Sequence, residues 1–309
     1  MINVLFAARP DRWEQYRHVL ADAFAEKGLE VDLRQDLPPD EVDYIVYAPN
    51  SAVQDFRPFT RAKAVLNLWA GVENVVHNET LAIPLCRMVE EGLTEGMVEW
   101  VTGHVLRHHL GIDGFLARQT GEWRPAYPPL ARDRRVAMLG LGELGSACAT
   151  ALAGLNFRMS GWSRTLRTIE GVETFSGDDG LRSVLSGAEI VVLLLPLTPE
   201  TENLLDATRL AILPAGAVIV NPGRGPLIDD DALLAALDAG HIAHATLDVF
   251  REEPLPPEHP FWAHPKVTVT PHVASETRPK TASRSIAENV RRGEAGAPFL
   301  HVVDRARSY

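Results

Sequence analysis

The sequence predicts an α/β protein built on doubly wound parallel sheets. Three observations carry that expectation. Short strand-like apolar runs alternate with helix-like periodic segments along nearly the whole chain. The connections are short, which implies right-handed crossovers with a helix between every pair of strands. One strand candidate, 135–139, runs directly into Gly140-Leu141-Gly142-Glu143-Leu144-Gly145, a glycine turn at a strand-to-helix junction. At ~150 residues per domain, the 309 residues make about two domains.

The elements fall into two series. In the first, strand-like runs at 4–6, 44–47, 65–68 and 85–88 accompany helical patterns at 13–27 and 94–110, the former closed by Gly28 at a C-cap position. The segment 121–129 follows. Its three prolines and two aromatics, Trp123 and Tyr127, break any helix and make it an extended arm. The second series places strands at 135–139, 157–162, 190–194, 217–221, 243–247 and 267–270. The clearest helix between them is 230–239, closed by Gly240, and a last helix at 278–292 precedes a polar tail.

Composition excludes several classes. Apolar residues at 46% and charged residues at 23% are those of a globular protein, not a disordered or fibrous one. Thirty Lys+Arg against 41 Asp+Glu, net −11, argue against a nucleic-acid backbone as partner, while leaving room for a local cationic pocket. Cys86 and Cys148 form no CxxC pair, so neither a disulfide framework nor a thiolate metal site is expected. The remaining histidines, His108, His109, His241, His244, His259 and His264 among them, show no metal-ligand spacing. No basic leader opens the chain, and the longest apolar run, 190–195, is far too short to span a membrane. A cytoplasmic protein with no membrane partner is expected.

The glycine turn points to a dinucleotide. Gly140 permits the tight turn, Gly142 lets backbone approach a pyrophosphate, and Gly145 lets helix pack on strand. The helix start at Glu143 and Leu144 supplies N–H groups and partial positive charge for that anion. An NAD site expects an acidic residue about 20 positions on. Here the next strand ends in Ser163-Arg164-Thr165, with Arg164 22 positions after Gly142 and no carboxylate in the stretch. A guanidinium and two hydroxyls suit a 2′-phosphate. NADPH is therefore expected over NADH, with NADH as the possible second cofactor.

Three further segments follow strands and so sit at the carboxyl edge where open α/β sheets bind ligands. They are Asn221-Pro222-Gly223-Arg224-Gly225, Asp248-Val249-Phe250-Arg251-Glu252-Glu253-Pro254 and Thr270-Pro271-His272-Val273-Ala274. An arginine, a carboxylate and a histidine on consecutive strand ends beside a dinucleotide site suit hydride transfer to a 2-keto acid.

With Leu195-Pro196-Leu197-Thr198-Pro199-Glu200-Thr201, these motifs resemble, in order and over nearly the whole chain, the D-isomer-specific 2-hydroxyacid dehydrogenases. The stretches at 253–258 and 262–265 and the ending 303–309 resemble the branch of that family that acts on glyoxylate and hydroxypyruvate. The resemblance implies a Rossmann dinucleotide-binding domain over 98–275, with a dimerisation arm near 121–130. It also implies a smaller flavodoxin-like substrate domain made of 1–97 plus 276–309, with hinge closure between the two.

It further implies that His272 is the acid/base group, that Glu253 pairs with it, and that Arg224 binds the substrate's carboxylate and carbonyl. The backbone amides of Ala70 and Gly71 would hold the same carboxylate. Leu195, Pro196, Thr201, Asn221, Pro222, Asp248 and Ala274 would line the cofactor cleft. Tyr47 is a candidate pocket wall, with a packed strand-end aromatic as the alternative. Trp123, on the arm, is a candidate to approach the partner's site in a homodimer, with plain interface packing as the alternative. The reaction implied is NADPH-dependent reduction of glyoxylate to glycolate and of hydroxypyruvate to D-glycerate. The rival readings are a bulkier 2-keto acid and a dinucleotide-sensing protein without turnover.

Overall fold

The computed structural model describes residues 1–307; Ser308 and Tyr309, the last two residues of the family-like ending, lie outside the described residues. The chain divides into two compact units, residues 1–93 with 276–309, and residues 94–275.

The first unit opens with β1 (Ile2–Ala7), α1 (Pro10–Glu26) and β2 (Val31–Arg34), followed by β3 (Tyr44–Tyr47), β4 (Ala64–Asn67) and β5 (Leu85–Cys86). All pair in parallel in the order β2-β1-β3-β4-β5, the flavodoxin-like arrangement. Side chains alternate across this sheet. Val4 and Phe6 pack with Leu20 and Phe24 of α1, while Leu5 and Ala7 pack with Ile45, Tyr47 and Val65 on the other face. Each such aliphatic side chain, fully buried, stabilises by roughly 1.5–3 kcal/mol. The α1 helix starts with Pro10 in its first turn, and Gly28 at φ +69° takes the left-handed step that ends it.

The second unit contains most of α2 (Glu91–Leu110), then α3 (Ile112–Ala117), β6 (Arg135–Leu139), α4 (Glu143–Gly154), β7 (Arg158–Trp162), β8 (Val172–Phe175), α5 (Gly177–Gly187) and β9 (Ile190–Leu193). It continues with α6 (Ala207–Ile212), β10 (Ala217–Asn221), α7 (Asp230–Asp238), β11 (Ile242–Leu247) and β12 (Val267–Val269). Seven parallel strands run β12-β11-β10-β9-β6-β7-β8. The order reverses between β6 and β9, so a crevice opens at their carboxyl ends. Val136 and Met138 of β6 face α2 and α4, whereas Ala137 and Leu139 face the layer of α5, α6 and α7. Burial on both faces explains why these strands read as continuous apolar runs.

The chain then returns to the first unit, where α8 (Pro279–Glu294) packs on α1 through Ala282, Ile286 and Val290. Buried Glu90 joins the two places where the chain leaves and re-enters this unit. Its carboxylate accepts the amides of Gly92 and Leu93 at 2.6 and 2.7 Å and that of Arg278 at 3.0 Å.

Two expectations need correction. A helix does not join every pair of strands: β3–β4, β4–β5 and β7–β8 are linked without an α-helix, and β2–β3 and β11–β12 only by 3-10 turns at Pro39–Glu41 and Pro260–Trp262. Prolines at 254, 256, 257 and 260 deny the last connection a continuous helix. Strands β2 and β8 carry no clear apolar run because they are sheet edges, only partly buried, and bear Asp32, Arg34 and Glu173. No helix among the described residues is long and apolar enough to cross a membrane.

Candidate active site

All seven strands of the second unit are parallel, so their following loops share one edge of the sheet. At ~4.8 Å per strand, the row from β12 to β7 spans roughly 24 Å. The glycine turn occupies its centre. Gly140 sits at φ +104°, and a Cβ there would lie 2.5 Å from the Leu194 carbonyl oxygen at the end of β9. A Cβ on Gly145 would lie 1.8 Å from the Gly140 oxygen, so glycine is obligatory where α4 meets the turn. Gly142 is different. Its Cβ position is open, it is exposed, and no side chain caps the helix that starts there. The first N–H groups of α4, from Glu143 and Leu144 onward, thus face an approachable space, the arrangement that binds a pyrophosphate.

Ser163, Arg164 and Thr165 follow β7. The Ser163 amide donates to Phe175 O at 3.1 Å and its hydroxyl to Thr165 O at 2.8 Å, fixing the turn. Arg164 and Thr165 are exposed. The loop after β9 lies within the field of Arg164. Glu200 is held below the usual carboxylate range first by a hydrogen bond from Thr198, with the Arg164 charge adding to it. In that loop Thr201 is committed internally. Its hydroxyl donates to Pro196 O at 2.7 Å and accepts from the Thr198 amide at 2.8 Å, so it shapes the loop behind Leu195 and Pro196.

The arginine, carboxylate and histidine come together. Asn221, 1% exposed, donates through Nδ2 to Arg224 O at 2.9 Å and accepts the Gly223 amide at 3.1 Å, closing the turn around buried Pro222. Arg224 Nη1 donates to Gly223 O at 2.6 Å. A Cβ on Gly225 would lie 2.0 Å from the Phe250 carbonyl carbon, so the Arg224 loop packs directly on the backbone of the Glu253 loop. Glu253 Oε1 accepts the Phe250 amide at 2.9 Å, and Oε2 meets His272 Nδ1 at 2.7 Å. His272 itself has φ +53° and donates its amide to Asp248 O at 2.8 Å. Fully buried Asp248 spends its carboxylate on this turn, accepting the Thr270 hydroxyl at 2.5 Å and the amides of Val273 and Ala274 at 2.9 Å each. It braces His272 from behind.

The electrostatics follow from that geometry. The hydrogen bond to Glu253 raises the His272 pKa above the ordinary imidazole range, against burial and the Arg224 charge. Burial alone would raise Glu253; the hydrogen bonds from His272 and the Phe250 amide and the charges of His272 and Arg224 outweigh it and hold Glu253 low. With Nδ1 on the carboxylate, Nε2 is the nitrogen that can exchange a proton with a bound molecule. The His272 side chain, 51% exposed, is accessible for it.

In the first unit the turn after β4 carries Ala70 and Gly71. Buried Asn67, which the sequence reading did not single out, donates through Nδ2 to Trp69 O at 2.9 Å and Gly71 O at 3.1 Å. Two carbonyls are thereby turned inward. Among the described residues neither the Ala70 nor the Gly71 amide donates a hydrogen bond, and both residues are partly accessible. Two adjacent unspent amides suit a carboxylate. Tyr47 needs correction as a pocket wall: it is 1% exposed and packs edge-on to Phe56 at 5.3 Å in the core. Trp123 is 96% exposed on its arm, and Tyr127 is 89% exposed beside it.

Known proteins resemble the chain throughout. The family model for the NAD-binding domain of the D-isomer-specific 2-hydroxyacid dehydrogenases matches residues 103–274. A glyoxylate/hydroxypyruvate reductase A from Serratia proteamaculans is 40% identical over 257 residues, 81% of this chain and 82% of its own. Among solved structures, a D-isomer-specific 2-hydroxyacid dehydrogenase from Xanthobacter autotrophicus, in complex with NADPH and MES, superposes with a TM-score of 0.93 at 42% identity, covering 100% of this chain and 99% of that one. An NADPH-dependent glyoxylate/hydroxypyruvate reductase from Sinorhizobium meliloti, with NADP and sulfate, gives 0.86 at 36% identity over 100% and 99% of the two chains.

Proposed function

The chain belongs to the D-isomer-specific 2-hydroxyacid dehydrogenases, NAD(P)-dependent oxidoreductases, and we propose that it reduces glyoxylate to glycolate and hydroxypyruvate to D-glycerate with NADPH as preferred cofactor. The observation that carries this reading is the Glu253–His272 pair, 2.7 Å apart and within the field of Arg224, on the sheet edge that also holds the glycine turn.

Each residue then has a task. The N–H groups at Gly142–Leu144 hold the pyrophosphate, and Ser163, Arg164 and Thr165 hold the 2′-phosphate. A charge-assisted contact of this kind is worth about 1.5–3 kcal/mol, one to two decades of affinity. The bound cofactor supplies a hydride to the substrate's carbonyl carbon. Arg224 grips the substrate's carboxylate with its planar fork and polarises the carbonyl. His272, protonated at Nε2, gives its proton to the carbonyl oxygen, while Glu253 keeps the ring charged and oriented. In the first unit, the amides of Ala70 and Gly71 bind a carboxylate.

The names and bound cofactors of the relatives above support the choice of substrate and of NADPH. The exposed aromatics Trp123 and Tyr127 support burial of the arm against a second copy in a homodimer. Two buried free cysteines, Cys86 and Cys148, agree with a cytoplasmic location.

A four-way initial-rate assay tests the reading: glyoxylate and hydroxypyruvate, each with NADPH and NADH, near neutral pH. Fast oxidation of NADPH by both acids and slow oxidation of NADH is the expected result. Fast NADH oxidation would overturn the role of Arg164 alone, and no turnover with any pair would overturn the substrate assignment.

A further inference from the structure

The pairing of Glu253 with His272 requires the loop after β11 to hold its place, yet residues 251–254 of that loop are exposed. Something must fix it. Two residues before Glu253, Arg251 reaches away from the pair and across the sheet edge. Its Nη2 donates to Ile228 O at 2.7 Å, in the segment just after the Arg224 turn, and to Asn203 Oδ1 in the loop after β9. These acceptors lie 23 and 48 residues away in sequence. Two carboxylates stand further off, Glu202 at 3.6 Å and Asp230 at 3.7 Å. Glu202 is exposed and its pair contributes little, while the half-buried Asp230 carboxylate, which the Arg251 charge favours, adds to the two shorter hydrogen bonds.

The acceptors are themselves well held. Asn203 occupies the left-handed region at φ +50° and donates its amide to Pro226 O at 2.8 Å. Leu205 donates to Leu227 O at 3.0 Å, and Asp229 returns a hydrogen bond to Leu205 O at 3.1 Å. Loops 196–205 and 224–229 are therefore zipped together, and Arg251 adds the third loop to them. On the near side of Arg251, Phe250 gives its amide to Glu253 Oε1 and presses its backbone against Gly225. Gly225 ties this loop to Arg224 by packing, and Arg251 ties it by hydrogen bonds.

We propose that Arg251 is a positioning residue for the reaction: it cross-braces the Glu253 loop to the loops after β9 and β10, so that Glu253 stays aimed at His272 Nδ1 while Arg224 keeps its place beside them. A surface arginine with no such task would share its charge with near neighbours in sequence; this one spans three separate strand connections. The role rests on the assignment of His272 as proton donor only for its effect on rate, since the aim of Glu253 is itself a measurable property of the folded protein.

The readout is the titration of His272. The charged groups that bear on it are Glu253, Arg224 and Asp248, and those near Arg251 are Glu202 and Asp230, the latter also close to Asp229, Asp231 and His259. Removing Arg251 changes none of the first set directly. It acts on His272 only by letting Glu253 move.

The imidazole of His272 is titrated by NMR in the full-length protein without cofactor, for wild type, Arg251→Met, Arg251→Lys and Asn203→Gly, with Glu253→Gln as reference. Arg251→Met keeps the aliphatic stem, and Asn203→Gly removes the acceptor while tolerating the positive φ. The expected result is a fall in the His272 pKa of at least about half a unit in Arg251→Met, a smaller fall in Asn203→Gly and partial recovery in Arg251→Lys. The alkaline limb of kcat/KM for reduction should move down with it, with kcat falling more than KM rises. A His272 titration unmoved in Arg251→Met, or in Asn203→Gly should the first variant fail to fold, overturns the proposal even if melting temperature drops. Absence of reductase activity in wild type would overturn the proposed function instead, and the titration would still decide the role of Arg251.

Discussion

Arg164 stands where NAD-binding relatives of this fold carry a carboxylate, and its surroundings bear on what it reads. Ser163 is fixed by two hydrogen bonds, so the guanidinium beside it starts from an ordered turn. Glu200, held low first by the Thr198 hydrogen bond, lies within the field of the Arg164 charge. Arg164→Ala should therefore weaken NADPH binding by roughly 10–100-fold and leave NADH nearly unchanged. Fluorescence titration with both cofactors checks this; equal losses would remove Arg164 from the phosphate site. At this scale the sequence was informative wherever a residue type is tied to one chemistry. Arg224, Glu253 and His272 were legible from their order after strands, and the structure brings them together. Asn67 was not, because an asparagine that turns two carbonyls inward has no signature outside the folded turn. Tyr47 stayed open between pocket wall and packed aromatic for a related reason, since a strand-end aromatic looks the same in sequence in either place; its burial against Phe56 is the second.

Glycines decide where elements meet. The turn from β6 into α4 works because Gly145 lets the helix close on the Gly140 carbonyl, and the Arg224 loop reaches the Glu253 loop because Gly225 lies against Phe250 backbone. Both neighbours are main chain and cannot move aside as a flexible side chain would. Gly225→Ala should thus destabilise by about 2–4 kcal/mol and lower kcat together with stability, measured by denaturant unfolding and steady-state kinetics. A variant with wild-type stability would show that the two loops are not packed as described. Central strands and the long helices were readable from periodicity, since burial on both faces leaves an unbroken apolar run. Edge strands β2 and β8 were not, because half-exposed strands carry charges. The missing crossover helices were obscured in the same way, alternation of strands alone implying helices that the proline-rich β11–β12 link cannot form.

At the level of the molecule, one cluster outside the site sets a pH limit on stability. His108 of α2 sits 5.0 Å ring to ring from His244 of β11, and each bonds a threonine hydroxyl, Thr246 at 2.8 Å and Thr268 at 2.9 Å. Burial pushes His108 down from the ordinary 6.5 to about 3, with the neighbouring His244 and Arg107 adding to it, and burial also lowers His104 and His244. A base held low in the folded state binds fewer protons than in the unfolded chain. Its contribution is fully present above pH 6.5 and is lost as pH falls from there toward 3. The melting temperature should fall steadily below pH 6.5, and His108→Gln, which keeps a hydrogen-bonding group without the titration, should flatten that fall. An unchanged slope would show that His108 does not set the acid limit.

Proton donation to the substrate by His272, held by Glu253, is tested by His272→Gln assayed with glyoxylate and NADPH alongside the NADPH dissociation constant. A kcat lower by about 10²–10⁴-fold with NADPH binding unchanged is expected. A kcat within a factor of a few of wild type would contradict it.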